Sequence, residues 1–112
     1  MKLVVAIIKP YQVEGVTNAL DALGVSGVTL TDVRGHGRQR GHTEVYRGSE
    51  YKVDFIPKVR VDVLVQESIV GQVTDTIVTE ARTGKIGDGK LWVLSVDEAM
   101  RIRTGETGED AL

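Results

Sequence analysis

The amino-acid sequence predicts an α+β sandwich in which two β-α-β halves share one four-stranded sheet. Three observations carry this expectation. Runs dense in Val, Ile and Leu occur at residues 3–8, 28–33, 59–65 and 91–96, as strands require. Two stretches between them repeat apolar residues every three or four positions, as helices do. A long segment that fits neither pattern divides the two halves. The chain has 112 residues, which suits one domain, 1–112, with a single modest core. Hydrophobic residues make up 41 % but aromatic residues only 4 %, so that core has to be built from Val, Ile, Leu and Ala.

Residues 3–8, LVVAII, form an unbroken apolar run of the kind found in central strands buried on both faces, and Pro10 ends it. Val13, Val16, Leu20 and Leu23 then recur at helical spacing, with Gly24 as the C-terminal stop. Gly15 inside this helix weakens it by about 1 kcal/mol relative to Ala. Residues 28–33 read as the second strand. After the long segment, Pro57 precedes a clean alternation. Val59, Val61, Val63 and Val65 point one way, while Arg60, Asp62, Leu64 and Gln66 point the other. Ile69, Val73 and Ile77 mark the second helix, with Ser68 as its expected N-cap. From residue 79 the apolar period is lost and glycines take over until the last strand at 91–96. The polar tail, about 101–112, reads as mobile.

This β-α-β-β-α-β order, with right-handed helical crossovers, is that of the ferredoxin-like sandwich, whose antiparallel sheet carries both helices on one face. The other face is left short of cover. Leu64, Leu94 and one set of residues from the first strand would be exposed there in a monomer. Such a patch marks an interface, so a symmetric oligomer is expected.

The dividing segment, residues 35–58, reads GHGRQRGHTEVYRGSEYKVDFIPK. It has neither the alternation of a strand nor the spacing of a buried helix, and a long regulatory loop of about 37–55 is expected between strands 2 and 3. A compact domain rarely holds roughly 20 irregular residues unless they serve a function or are disordered. A solvated connector would favour Ser, Pro and Gly over aromatics. Two of the three tyrosines and the only Phe lie here instead, which favours function.

Charge and composition narrow the classes. There are 14 basic and 16 acidic residues, a formal net charge of −2, and no cysteine. No basic bias points to nucleic acid. Disulfides, thiolate metal sites and cysteine nucleophiles are excluded. The N-terminal apolar run is too short for a signal core or a membrane span, so a soluble cytoplasmic protein is expected. His36 and His42 have no carboxylate at metal spacing and read as loop residues.

Residues 83–90, TGKIGDGK, form the second informative stretch. Glycines let backbone N–H groups approach an anion, and a following Lys adds a point charge. The spacing is not that of a Walker A loop, and a strand follows where a helix should. Taken alone, a chain-reversing turn is an equally good reading. Arg101 and Arg103, alternating in a segment read as extended, would present two guanidinium forks from one side. Together with Arg38 and the Lys90 region they suggest gathered phosphates in a chain of net negative charge.

The segments 46–51, YRGSEY, and 83–93, TGKIGDGKLWV, resemble the two signature segments of the PII signal-transduction proteins of nitrogen regulation. The resemblance runs from residues 7–10 through 37–44 and 53–58 to 101–105, and so covers essentially the whole chain. It implies a ferredoxin-like homotrimer that binds ATP or ADP competitively in three intersubunit clefts, and 2-oxoglutarate beside Mg-ATP. By this resemblance Gly35, Gly37, Arg38 and Gln39 face the nucleotide, and Gly87, Asp88, Gly89 and Lys90 cradle its phosphates. Arg101 and Arg103 reach across from the neighbouring subunit, while Ile7, Thr29 and Leu64 hold the adenine. Gln39 is expected to ligate Mg²⁺. The expected 2-oxoglutarate site comprises Gln39, Lys58 and Gly87, with Lys58 pairing a carboxylate. Tyr51, placed at the loop tip, is the expected site of nucleotidylation by UMP or AMP.

An ammonium channel, nitrogen-metabolism enzymes and a nucleotidyltransferase are the partners implied, with any membrane contact indirect through the channel. His36 and Leu91 depart from the residues usual in the family. Two other classes fit the same fold. A phosphotransferase or ATPase needs an activated nucleophile, and no residue of the sequence reads as one. An RNA-binding module needs stacking aromatics on its central strands, and residues 4–8 and 59–65 contain none.

Overall fold

The computed structural model describes residues 1–25, 27–37 and 55–112 in full, and residues 43–46 and 49–52 as backbone strands. The strands are β1 (Lys2–Ile8), β2 (Val28–Gly35), β3 (Thr43–Tyr46), β4 (Ser49–Lys52), β5 (Ile56–Val65) and β6 (Lys90–Ser95). The helices are α1 (Val13–Ala22) and α2 (Val70–Ala81), each preceded by a single 3-10 turn, Pro10–Gln12 and Glu67–Ile69.

Four strands form one sheet in the order β2-β5-β1-β6, and every neighbouring pair is antiparallel. This is the ferredoxin-like arrangement that the sequence predicts. The unbroken apolar run of β1 explains its place, because a strand between β5 and β6 is covered edge to edge. Val4, Val5, Ala6 and Ile8 are all buried. On the helix side, Val4, Ala6 and Ile8 of β1 and Val59, Val61, Val63 and Val65 of β5 pack with Val16 and Leu20 of α1 and Val73, Ile77 and Ala81 of α2. Period-two residues of the strands thus meet period-3.6 residues of the helices in one aliphatic core.

Among the described residues, no helix covers the opposite sheet face. Register places Leu3, Val5 and Ile7 of β1 beside Leu64, Asp62 and Arg60 of β5, and beside Leu94, Trp92 and Lys90 of β6. Leu94 is 47 % exposed and Trp92 37 %. Val5 is nevertheless fully buried, flanked by Asp62 and Trp92. Arg60 closes over this face with Nε and Nη2 bonds to the Asp62 carboxylate at 3.0–3.1 Å.

Five sequence expectations are corrected. The dividing segment is not irregular throughout, since β3 and β4 pair as an antiparallel ribbon with Thr43 opposite Lys52 and Tyr46 opposite Ser49. The pairing is a local ladder between neighbouring segments, which a search for apolar alternation does not detect. Tyr51 consequently lies within β4, opposite Glu44, and not at the tip. Ser68 sits inside the 3-10 turn, and α2 begins from Ile69 with no side-chain cap. The second helix also continues to Ala81, which is buried.

The tail is the fifth correction. A bridge joins Met100 to Thr107, Gly105 and Gly108 adopt φ of +80° and +63°, and Gly108–Ala111 forms a 3-10 turn. The Arg101 guanidinium donates to the carbonyls of Ala111 (3.3 Å) and Leu112 (2.9 Å). Polar side chains concealed a segment ordered through its backbone.

Candidate ligand site

Where β1 ends, the chain has to turn out of the sheet. Lys9 takes the extended conformation that a following proline imposes (φ −67°, ψ 139°), and this fixes its side chain at the end of the sheet. Among the described residues, Lys9 and Lys58 are the buried charged side chains, at 9 % and 7 % exposure. Both reach the same loop, residues 83–89, which links α2 to β6.

The loop is folded around Asp88. Its carboxylate accepts from the backbone N–H of Thr83 at 2.8 Å and of Gly84 at 2.9 Å, and from the Thr83 hydroxyl. That hydroxyl in turn accepts from the Lys85 N–H and the Lys9 ammonium, each at 3.2 Å, so its one donor and two acceptor sites are all engaged. The Lys9 ammonium also pairs directly with Asp88 at 3.1 Å. Gly84, Gly87 and Gly89 have φ of +82°, +95° and +98°, a region that L side chains rarely enter. Gly89 is required twice over. A Cβ there would lie 1.7 Å from the Ile7 carbonyl oxygen.

Lys58 comes from β5, one residue after Pro57, and donates to the Gly87 carbonyl at 2.5 Å. It packs against Gly35 at the end of β2, where a Cβ would meet the Lys58 Cγ at 3.2 Å. It also lines a shallow groove with Pro10, Asp32, Val33, Arg34, Phe55 and Pro57. Lys58 therefore joins both roots of the dividing segment to the glycine loop. Arg34 and His36 lean on Phe55 at the same roots, with the guanidinium 5.7 Å from the ring centre and the two rings 6.0 Å apart.

The electrostatics are asymmetric. The Thr83 hydroxyl, aided by the Thr83 and Gly84 amides and by Lys9, holds the Asp88 carboxyl far below the usual carboxylate range despite burial. The hydrogen bond to Asp88 raises Lys9 above its ordinary 10.5. Lys58 is lowered, first by burial and then by Lys9, with Asp88 acting in the opposite sense. Two buried ammonium groups thus face one carboxylate. Lys9 is the better paired, and the surplus positive charge rests on Lys58.

Of the residues singled out from the sequence, Ile7, Gly35, Lys58, Gly87, Asp88, Gly89 and Lys90 gather at this end of the sheet, Lys90 opposite Ile7 in register. Asp88 is consumed in folding the loop. Thr29 and Leu64 share the helix-free face but pair Asp62 and Leu3, further along the strands. Gly37 is exposed at the edge of the described chain. Arg38, Gln39 and the side chain of Tyr51 lie outside the described residues.

Arg101 and Arg103 are both exposed, and their segment is a turn, not a strand. The Gly105 N–H donates to the Arg101 carbonyl and the Arg101 N–H to the Glu106 carbonyl, both at 2.9 Å. The expectation of two forks projecting from one side of an extended segment is corrected accordingly. The residue that sequence reasoning missed is Lys9. Its signal was a lone charge ending a buried apolar run directly before proline.

A second cavity, of about 190 Å³, opens on the helix side of the same loop between Ile77, Ala81, Ile8 and Leu91. The family model described as nitrogen regulatory protein P-II matches residues 1–106. Over all 112 residues, and the full length of each relative, the chain is 52 % identical to "Nitrogen regulatory protein P-II" of Rhizobium etli. It is 54 % identical to the protein of the same name from Haemophilus influenzae. It is 52 % identical to "Nitrogen regulatory protein P-II 1" of Escherichia coli.

Proposed function

The chain belongs to the nitrogen regulatory protein P-II family, and from that premise we propose that it is a non-enzymatic sensor of adenine nucleotide and 2-oxoglutarate. Its role lies in nitrogen-regulation signalling. In this reading the glycine loop 83–89 and Lys90 receive the phosphates of ATP or ADP. Gln39 ligates Mg²⁺, and Lys58 pairs a carboxylate of the keto acid. Arg101 and Arg103 are supplied by a neighbouring copy in a homotrimer, and Tyr51 takes a nucleotidyl group from a modifying enzyme. The dividing segment carries the signal to an ammonium channel and to enzymes of nitrogen metabolism.

The observation that supports this reading best is the surplus charge on Lys58. A buried ammonium without a full counter-charge is costly in a ligand-free chain, and a carboxylate ligand would complete it. Its position at the roots of the dividing segment supplies the mechanical link. A ligand that binds one arrangement of those roots more tightly than another shifts the population that partners meet. ATP would fix the metal, and the metal would fix the keto acid, so the two affinities have to be linked reciprocally.

Calorimetry on the purified protein tests the reading. ATP should bind, and 2-oxoglutarate should bind measurably with Mg-ATP but not with ADP or alone, with a coupling of about 1–3 kcal/mol. Equal keto-acid affinity in all three conditions would overturn it.

A further inference from the structure

We propose that Lys9 is a positioning residue for the keto acid: it occupies Asp88, so that the unspent positive charge of the cluster stays with Lys58. This rests on the reading of Lys58 as the carboxylate partner. The geometry on which it stands is a three-charge chain. The Lys9 ammonium lies 3.1 Å from Asp88 and 3.2 Å from the Thr83 hydroxyl, while the Lys58 ammonium is bonded to the carbonyl of Gly87, the residue next to Asp88. Without Lys9, the Asp88 carboxylate would be left to draw on Lys58, whose ammonium is already bonded to the adjacent residue. A flexible ammonium stem can make that short move, and the cluster would then be neutral, with nothing left to attract an anion. The Asp88 field already favours the charged form of Lys58, and Lys9 opposes it.

Charge arithmetic separates this role from ordinary loop support. The native cluster holds two positive charges and one negative. Lys9→Met reduces it to one of each. Lys9→Met combined with Asp88→Asn restores a single positive charge while removing more of the loop's bonding. If Lys9 merely braced the loop, the double variant would be the worse of the two. If Lys9 reserves Lys58, the double variant has to recover.

Two measurements read this out. Titration of the Lys58 side chain by NMR in the ligand-free protein reports the cluster directly, and calorimetry with 2-oxoglutarate and Mg-ATP reports the ligand. Lys9→Met should raise the Lys58 titration midpoint and weaken the keto acid by roughly tenfold or more, as loss of a charge pairing does. Lys9→Arg should rescue both. The double variant should return both toward the native values, and Asp88→Asn alone, which needs no loss of Lys9, should lower the Lys58 midpoint below the native one. A double variant weaker than Lys9→Met overturns the proposal. So does an unchanged Lys58 midpoint in Lys9→Met, or in Asp88→Asn should Lys9→Met fail to fold. Absence of keto-acid binding to the native protein would strike the sensor reading instead, and leaves the ligand-free titration as the test of Lys9.

Discussion

At the scale of single residues, Lys58 shows how a fold can hold function at its own expense. Its proton affinity in the folded chain is lower than the ordinary 10.5, chiefly through burial. For a base lowered in the fold, the charged form is the disfavoured one. The cost is therefore fully present below the folded value and is lost as pH rises from there to the unfolded one. Lys58→Met should leave the melting temperature of the ligand-free protein equal or higher while abolishing 2-oxoglutarate binding and retaining ATP. A lower melting temperature would mean that the bond to Gly87 outweighs the burial. Gly89→Ala should act in the opposite way. Its Cβ would collide with the Ile7 backbone, so melts should show clear destabilisation together with loss of ATP binding. Gly15 is the benign contrast: a Cβ there meets only the mobile end of Glu80 at 3.3 Å. Gly15→Ala should stabilise by about 0.5–1 kcal/mol in denaturant unfolding. The glycines that matter were visible in the sequence as a cluster. Which of them tolerates a side chain was not, because that depends on the neighbouring strand.

At the scale of elements, the loop 83–89 has a stability that depends on acid. The Asp88 carboxyl is lowered well below its ordinary 3.8 by the Thr83 hydroxyl and its other partners. A depressed acid contributes stability above its unfolded value and loses it as pH falls toward the folded one. Melting temperature should therefore drop progressively below about pH 4, and Asp88→Asn should flatten that limb while leaving a lower plateau at pH 7. An unchanged acid limb would mean that other carboxylates carry it. Elements with a buried face were legible in the sequence, since β5, α1 and α2 show the period of their own geometry and β1 the unbroken apolar run of a central strand. Elements set by local backbone pairing were not. The β3–β4 ribbon and the closing turn around Met100 and Thr107 leave no apolar rhythm to read. Asp88 was legible as part of a motif, yet its carboxylate faces its own loop, a choice that spacing alone cannot reveal.

At the scale of the whole molecule, the alternation of β5 foretold both the helix-covered face and its bare counterpart. What one chain lacks is instructive. The glycine loop, Lys90 and Lys58 converge at one end of the sheet, whereas Arg103 sits in a separate C-terminal turn. If the proposed cleft uses both Lys90 and Arg103 from different copies, the bare face with Leu94 and Trp92 exposed is where those copies have to meet. Light scattering at micromolar concentration should then give a trimer without ligand, and a monomeric mass would remove the shared cleft altogether. Subunit mixing is the sharper test. Lys90→Ala and Arg103→Ala should each bind ATP weakly as pure proteins, because every cleft carries one defect. In a cyclic assembly that exchanges at random, about a quarter of the clefts combine an intact Lys90 from one chain with an intact Arg103 from the next. An equal mixture should thus recover roughly a quarter of the native ATP-binding sites at native affinity. If both residues served the same cleft from the same chain, every cleft would keep its defect and mixing would restore nothing, even with exchange confirmed by mass spectrometry.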